Sequence, residues 1–241
     1  MNDESRPLVA TDDAPILLEV LGTPVKVTPD VLLNLLGLWG GATVLAGRRK
    51  PERSWPLRLA VGTISAAIWA SADFGHALAH IVSARAAGAP MDEVQLSQGM
   101  PRTIYYDNDV PPRAHIIRSL GGPIFNAVGL LLSFALRTAS PAGSTGRELA
   151  GDAVMGHGLL LAGSLAPLPI VDGGVILKWR LVEGGRTPEE ADQVVQAAGV
   201  ATGAASLGLG AALASRRRWL PALGLVGAGA VAIAVALNKP R

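Results

Sequence analysis

Long apolar segments alternate along this chain with short polar stretches that contain clusters of arginine. The apolar segments are longer than ordinary strands and approach the length that crosses a bilayer as a helix, about 20 residues. Six transmembrane helices are therefore predicted, at residues 31–46, 57–84, 116–136, 150–168, 194–214 and 219–237. The third is expected to be interrupted near its start, where Gly121, Gly122 and Pro123 follow one another.

Two stretches between these segments alternate apolar and polar residues, which is typical of strands. Residues 15–27 are broken at Gly22 and Pro24, so they predict a strand, a turn and a second strand. Residues 92–97 and 103–106 predict two more strands in the polar loop after the second helix. Open sheet edges are not tolerated against lipid, so this small β element is expected at the membrane interface or in a protein-lined cavity.

Several shorter signals predict helix ends and contacts. Asp30 is placed to cap the first helix, and residues 187–190 read Thr-Pro-Glu-Glu, a typical helix start. Residues 175–182 predict a short amphipathic piece. Gly199 and Gly203 are four residues apart, a spacing that lets helices approach closely in lipid. The three arginines at 216–218 are interpreted as a headgroup anchor.

The second segment is apolar over its N-terminal part and then carries ionisable residues on one face. Asp73, His76 and His80 are spaced by three and four residues, and Ser83 follows one turn later, so on a helix they form one narrow stripe. Ionisable groups are costly inside a lipid-compatible helix unless they face protein or a wet cavity. This stripe is therefore a candidate functional site.

Composition agrees with a membrane protein and restricts the chemistry. Hydrophobic residues make up 49% of the 241 residues, and the mean hydropathy is +0.36. The chain has no cysteine, so a metal would have to be held by histidine and carboxylate groups. The net charge of +2 is too small to favour a nucleic-acid partner. Residues 1–14 predict a polar, disordered leader without the pattern of a cleavable signal peptide.

Four stretches, in this order, resemble the site-2 protease family of intramembrane zinc metalloproteases. Residues 21–29 are similar to its N-terminal hairpin, and residues 73–79, Asp-Phe-Gly-His-Ala-Leu-Ala, to its metal-binding helix. Residues 121–126, Gly-Gly-Pro-Ile-Phe-Asn, resemble its Gly-Pro-x-x-Asn helix start. Residues 165–174 end in Asp-Gly-Gly and resemble the element that supplies the third metal ligand. The likeness spans about residues 20–215 and implies a site-2 protease-like, all-α polytopic core with a small interfacial β element.

The metal motif departs from the family pattern of two histidines one turn apart with a glutamate beside the first. Aligned on Gly-His-Ala-Leu-Ala, the first histidine is replaced by Ala72 and the glutamate by Asp73, which leaves His76 and Asp172 as ligands. Aligned on His76 and His80, both histidines are present but the glutamate is replaced by Ala77. Neither alignment gives a complete catalytic centre. The resemblance then implies a mixed zinc site of His76, His80 and Asp172, with Asp73 as a shortened general base.

Each of these residues also has an ordinary structural interpretation. His76 and His80 can be hydrogen-bonded between packed helices, and Asp172 can form a turn or cap the next helix. Asp73 can pair with a neighbouring histidine or arginine. Asn126 is interpreted as a packing and hydrogen-bonding residue.

Two further histidines lie away from these motifs. His157, inside the fourth segment, is an alternative metal ligand. His115 and the arginines of the loops are expected to be solvated. Basic residues occur on both sides of the predicted helices, so the sequence leaves the orientation in the membrane open.

The predicted organisation has three parts: a leader with the strand pair at 1–30, a site-2 protease-like core at 31–186, and a Gly/Ala-rich helical hairpin at 187–241. The resemblance implies hydrolysis of peptide bonds in or near a bacterial-type plasma membrane, and the incomplete motif predicts that this activity is reduced or lost. The alternative is a non-catalytic pseudoprotease that binds or regulates transmembrane partners. A transporter is disfavoured, because one segment alone carries an ionisable cluster and no inverted repeat is visible.

Overall fold

The computed structural model describes residues 14–99 and 101–238. These residues form seven helices and four short strands. The helices are α1 (Val31–Arg49), α2 (Trp55–Ala86), α3 (Pro112–Ala139), α4 (Thr145–Ser164), α5 (Asp172–Glu183), α6 (Pro188–Ser215) and α7 (Trp219–Leu237). The strands are β1 (Ile16–Val20), β2 (Thr23–Val27), β3 (Glu93–Leu96) and β4 (Arg102–Ile104). The predicted polar leader covers residues 1–14, and of these residue 14 alone is among the described residues.

Each of the six predicted segments forms a helix, and four of these helices are long and apolar enough to cross a membrane. The four are α1, α3, α6 and α7, and leucines on α1 and α3 such as Leu36 and Leu131 are largely exposed. The chain is therefore a membrane protein with helices suited to contact lipid. Helices α2 and α4 carry ionisable residues along their length and are not among the four. That they also span the membrane remains a prediction.

Helix α3 runs without a break through Pro123, which corrects the predicted interruption. A proline inside a helix removes one backbone hydrogen bond, but packing against neighbouring helices compensates for this in membrane proteins. The two glycines before Pro123 provide such packing. A Cβ atom on Gly121 would lie 2.4 Å from the backbone oxygen of Ala79 on α2, so only glycine allows this approach.

The four strands form one sheet in the order β1-β2-β3-β4. The outer pairs are antiparallel, whereas β2 and β3 are parallel. Leu21 and Gly22 form the turn between β1 and β2 with φ angles of 50° and 77°, and such a two-residue turn with positive φ at both positions matches the twist of a hairpin. The predicted strands are thus confirmed.

The sheet packs against the C-terminal half of α2. Val25 and Val94, at the centre of β2 and β3, are fully buried together with Ile81 and Ala84 of α2. Burying these side chains on an α-helix stabilises an element that is too small to be stable alone. The sheet thereby fixes the part of α2 that carries the two histidines.

Asp30 occupies the predicted N-cap position of α1, but its side chain makes no capping hydrogen bond, which corrects part of the expectation. Its carboxylate instead accepts hydrogen bonds from the Thr28 hydroxyl and, at 3.1 Å, from the backbone N–H of Gln98. These bonds, the Thr28 bond above all, hold the pKa of Asp30 below its usual value. The carboxylate therefore ties the start of α1 to the loop after β3.

The described residues divide into two compact units, one within the ranges 1–110 and 121–161 (the first unit) and one within the ranges 111–120 and 162–241 (the second unit). In the second unit α6 packs along α7 through glycines. A Cβ atom on Gly199 would lie 2.9 Å from Cβ of Ala236, and one on Gly203 would lie 2.6 Å from Ile233. The close contact predicted from the glycine spacing is confirmed.

Two other features of the second unit bear on the sequence predictions. Thr187 and Glu190 form the predicted capping box at the start of α6, each side chain accepting from the other's backbone N–H. His115 is buried and stacks on Trp179 with ring centroids 3.9 Å apart, so the expectation that it is solvated is wrong. Stacking on an indole ring is favourable enough to draw an imidazole out of water.

Candidate metal centre

His76 and His80 lie one turn apart on α2 with their rings facing each other. Their Nε2 atoms are 3.1 Å apart, and their ring centroids are 4.8 Å apart at an interplanar angle of 77°. His80 is buried, whereas His76 is half-buried. The two Nε2 atoms therefore converge on one point beside the helix.

Helix α3 covers this part of α2 at a distance that excludes side chains. A Cβ atom on Gly122 would lie 2.3 Å from Nε2 of His76. Any other residue at position 122 would have to push the imidazole or the helix away. Gly121 and Gly122, which the sequence singles out beside Pro123, thus fix how closely α3 approaches the histidine pair.

Asn126 on α3 connects this pair to a third histidine. Its side chain is fully buried, and its Nδ2 donates to Nδ1 of His76 at 2.8 Å. Its Oδ1 accepts from Nδ1 of His157, on α4, also at 2.8 Å. His157 is held in turn by its edge contact with Phe125 and by Gly129, where a Cβ atom would lie 2.4 Å from the imidazole. Three helices of the first unit therefore share one hydrogen-bonded chain, His157–Asn126–His76–His80.

The orientation of the Asn126 amide is linked to the tautomer of His76. With the amide nitrogen facing Nδ1 of His76, the tautomer that fits this hydrogen bond carries its proton on Nε2, between the two histidines. Metal binding through Nε2 requires the other tautomer, with the proton on Nδ1 and an acceptor beside it. An amide offers a donor at one end and an acceptor at the other, so a half turn of the Asn126 amide can support either state.

The spacing of the two histidines fits a zinc ion. Two nitrogen ligands about 2.05 Å from a tetrahedral zinc lie about 3.3 Å from each other, close to the observed 3.1 Å between the Nε2 atoms. The hydrogen bond of His76 to Asn126 is of the kind that orients metal-binding histidines. His76 and His80 could therefore supply two ligands of a tetrahedral metal site within the first unit.

Asp73 lies one turn before His76 and lines a cavity of about 670 Å³. The other lining residues are mainly apolar and come from β1, α1, α2, the end of β3 with the loop after it, and the end of α4, including Leu38, Trp69 and Phe74. Among the described residues Asp73 makes no direct ion pair or side-chain hydrogen bond, but its carboxylate interacts electrostatically with His76. Its carboxylate is directed to a site that could admit a ligand.

The residues that replace the family's catalytic groups are packed into the protein. Ala72 and Ala77 are 1% and 2% exposed, and Ala77 belongs to the cluster between α2 and the sheet. Neither position leaves space for the glutamate or histidine expected in the two alignments. The structure thus gives each alanine a packing role.

Asp172 is the first residue of α5 in the second unit, following Val171 as the capping residue. The interpretation of Asp172 as the cap is therefore wrong by one position, although a carboxylate in the first turn still favours the helix dipole. The two glycines after it are required by packing. Cβ atoms on Gly173 and Gly174 would lie 2.2 Å from the backbone oxygen of Leu165 and 1.8 Å from that of Leu168.

Asn126 is the residue whose importance the sequence understated. The sequence predicts a packing and backbone hydrogen-bonding role for it, whereas its side chain forms hydrogen bonds with both His76 and His157. The sequence does contain an indication of this role, because an amide in the middle of an apolar helix needs polar partners from another helix. Its partners are 50 and 31 residues away in sequence, so no local pattern could name them.

Comparisons with known proteins agree with this architecture at the level of the fold. No protein-family model matches the chain, and no curated protein matches its sequence. The arrangement of helices and sheet is similar to the fold of a solved site-2 protease. The solved structure that shows this is the site-2 protease from Methanocaldococcus jannaschii, with a TM-score of 0.54 over 95% of this chain and 99% of that one. The identity is 13%, so the likeness establishes the fold alone.

Proposed function

We propose that this protein binds zinc in a membrane-embedded centre of the site-2 protease type and that its peptide-hydrolysing activity is reduced or lost. The observation that carries the proposal is the convergence of His76 and His80, whose Nε2 atoms are 3.1 Å apart. The hydrogen bond from Asn126 to the opposite nitrogen of His76 supports it. Asp172 is proposed as the third ligand because it begins the Asp-Gly-Gly element that resembles the family's ligand.

The reduced activity is proposed from the missing general base. A bound zinc would polarise a peptide carbonyl and lower the pKa of a bound water, but a base must still take up the proton. The residue after His76 is Ala77, which is packed against the sheet. Asp73 is the carboxylate proposed to act in its place. It is one methylene shorter than glutamate and one turn further back on α2, so proton transfer through it is expected to be inefficient.

The second candidate function is a pseudoprotease that holds a transmembrane segment without cutting it. The cavity of about 670 Å³ beside Asp73 favours this, because its apolar lining suits a hydrophobic helix or extended segment. A pseudoprotease of this kind would bind or regulate membrane partners.

Metal content tests the proposed centre. Protein purified in detergent should contain about one zinc per chain by elemental mass spectrometry, and His76→Ala and Asp172→Ala should each lose it. Asp192→Asn and His115→Phe are matched controls, since Asp192 is an exposed partner of Lys178 and His115 stacks on Trp179. Absence of zinc from the wild-type protein, or its retention in both ligand variants, would contradict the proposal.

Peptide cleavage separates the two functions. Zinc-loaded wild-type protein is expected to cut a fluorogenic transmembrane peptide slowly or not at all, while retaining the peptide in a pull-down. Cleavage at the rate of an intact metalloprotease that disappears in His76→Ala would refute the loss of activity. Slow cleavage that also disappears in Asp73→Asn would support Asp73 as the substitute base.

A further inference from the structure

A second polar cluster lies in the first unit, away from the histidines, where the end of α1, the start of α2 and the start of α4 meet. Arg53 is almost fully buried and binds both carboxylate oxygens of Glu148, and it also donates to the backbone oxygen of Ala46 at 3.1 Å. Arg49 donates to Asp152 at 2.6 Å, and Ser65 donates to the other oxygen of Asp152 at 2.6 Å. Each oxygen of the Glu148 and Asp152 carboxylates therefore accepts a hydrogen bond.

A cavity of about 600 Å³ lies beside this cluster and is lined by four cationic side chains. They are Arg49, Lys50, Arg137 and Arg147, and the only acidic residues that the structure describes in the lining are Glu148 and Asp152. Arg53 neutralises Glu148 from outside the lining. The cavity is therefore distinctly positive.

Among the described residues three of the four cations form no direct ion pair with a carboxylate, although the charge of Lys50 also acts on Glu148. Lys50 donates to the backbone oxygen of Gly143 at 2.5 Å, and Arg147 donates to those of Arg137 and Ser140 at 2.9 and 3.0 Å. Carbonyl oxygens orient a cation but do not cancel its charge. The Arg137 guanidinium makes no hydrogen bond or ion pair among the described residues, and its side chain lies against Gly151.

From this arrangement we propose that the cavity binds a phosphate group, supplied by an anionic lipid headgroup or by free phosphate. Arginine presents a planar set of donors that matches phosphate oxygens, and a lysine adds a point charge. The volume falls within the range of small-molecule sites, about 300–1,000 Å³, so a headgroup larger than the phosphate itself can enter.

The surroundings of the cavity suit a lipid. Val154 and Met155 line it on the α4 side, and Leu132 and Leu136 on α3 and Leu159 on α4 are largely exposed. Acyl chains of a lipid whose phosphate lies among the arginines could continue along these apolar faces. Basic groups at the ends of apolar helices are also typical of contact with anionic headgroups.

The test uses the full-length protein in detergent and three probes: short-chain phosphatidylglycerol, phosphatidylcholine with the same acyl chains, and inorganic phosphate. The midpoint of thermal unfolding, followed by tryptophan fluorescence, reports binding because a ligand of the native state raises it. Phosphatidylglycerol should raise the midpoint more than phosphatidylcholine. Arg137→Gln should weaken the apparent affinity of the protein for phosphatidylglycerol about tenfold, as expected for loss of one charge-assisted contact.

Arg216→Gln is the matched control, because it removes an arginine at the end of another apolar helix and should leave the response unchanged. Lys50→Gln should weaken the affinity in the same way as Arg137→Gln. It serves as the test variant if Arg137→Gln does not fold. A response to inorganic phosphate equal to that of phosphatidylglycerol would identify free phosphate as the ligand. The proposal would be overturned if the two lipids raised the midpoint equally and inorganic phosphate did not raise it. It would also be overturned if Arg137→Gln and Lys50→Gln both kept the full response to phosphatidylglycerol.

Discussion

Asn126 is the residue on which the polar centre between α2, α3 and α4 depends. It is fully buried and satisfies a ring nitrogen of His76 and one of His157 with two hydrogen bonds of 2.8 Å. A buried amide that loses its partners is costly, and so is a partner that loses the amide. The same contact orients the imidazole that is proposed to bind zinc, so one side chain links stability to metal affinity.

Asn126→Leu is therefore expected to weaken zinc binding by about 10-fold to 100-fold, the usual effect of removing a hydrogen-bond partner of a metal-binding histidine. It should also destabilise the protein by about 2 kcal/mol, because both ring nitrogens are left unpaired. Asn126→Asp offers a hydrogen-bond acceptor to His76, so it should keep more of the zinc affinity than Asn126→Leu does. Competition with a zinc-binding dye measures the affinity, and Asn34→Leu on exposed α1 is the control.

An Asn126→Leu protein with wild-type zinc affinity would show that the amide has a packing role alone. Equal losses in Asn126→Leu and Asn126→Asp would have a different meaning. They would show that the donor end of the amide is what His76 requires, and the proposed change of tautomer on metal binding would be wrong.

At the scale of the elements, glycines set the distances between helices. Gly62 on α2 is placed against Thr43 on α1, Gly122 on α3 against His76, and Gly203 on α6 against Ile233 on α7. In each case a Cβ atom would come within 2.6 Å of the neighbouring helix. Helix packing in membranes relies on such close backbone approach, since the hydrophobic effect does not distinguish a helix from lipid tails.

Gly203→Leu is expected to separate α6 from α7 and to destabilise the protein by about 1–3 kcal/mol, the usual cost of overpacking. Gly208→Leu on the same helix is the control, because no atom lies within 4 Å of a Cβ placed there. Thermal unfolding of both variants in the same detergent measures the difference. Equal midpoints for the two variants would contradict the proposed contact.

Gly122→Ala should act on the centre itself, because the added methyl would overlap the His76 imidazole. Zinc content is expected to fall while the four apolar helices remain folded, as followed by circular dichroism. Gly163→Ala on α4 is a suitable control, since its Cβ meets no atom within 4 Å and alanine is the better helix former. Full zinc content in Gly122→Ala would show that α3 can move without disturbing His76.

At the scale of the whole molecule, the pairing of Arg53 with Glu148 makes stability depend on pH. The hydrogen bonds and charge of Arg53 hold the pKa of Glu148 below its usual 4.5. A carboxylate with a lowered pKa in the folded state contributes stability above its unfolded pKa, and this contribution is lost as the pH falls towards the folded value. The pair is buried, with side chains 3% and 10% exposed, so solvent screens it little.

The thermal midpoint of the wild-type protein is therefore expected to fall as the pH is lowered from about 5 to 3. Glu148→Gln should destabilise the protein at pH 7 by about 3 kcal/mol, because Arg53 is left with an uncompensated buried charge. Its midpoint should also depend less on pH over that range. Glu183→Gln is the control, since Glu183 pairs with an arginine that is 68% exposed and such surface pairs contribute little.

The sequence by itself determined the features that depend on neighbouring residues. Apolar length predicted the helices, the break at Gly22 and Pro24 with the alternation around it predicted the hairpin, and Thr187 with Glu190 predicted the start of α6. The spacing of His76 and His80 also belongs to this class, because residues four apart on a helix always share a face. These outcomes follow from local backbone geometry, which the order of residues specifies directly.

Tertiary structure alone decided the features that bring distant residues together. Parallel pairing of β2 with β3 and the bonds from Asn126 to His76 and His157 join residues tens of positions apart. The close approach of Gly121 to Ala79, beside Pro123 in the unbroken α3, is of the same kind. Such contacts depend on how helices pack, and packing is fixed by the summed fit of many side chains and glycines. The sequence therefore named the histidines of the centre, whereas the packing of α3 and α4 against α2 decided what holds them in place.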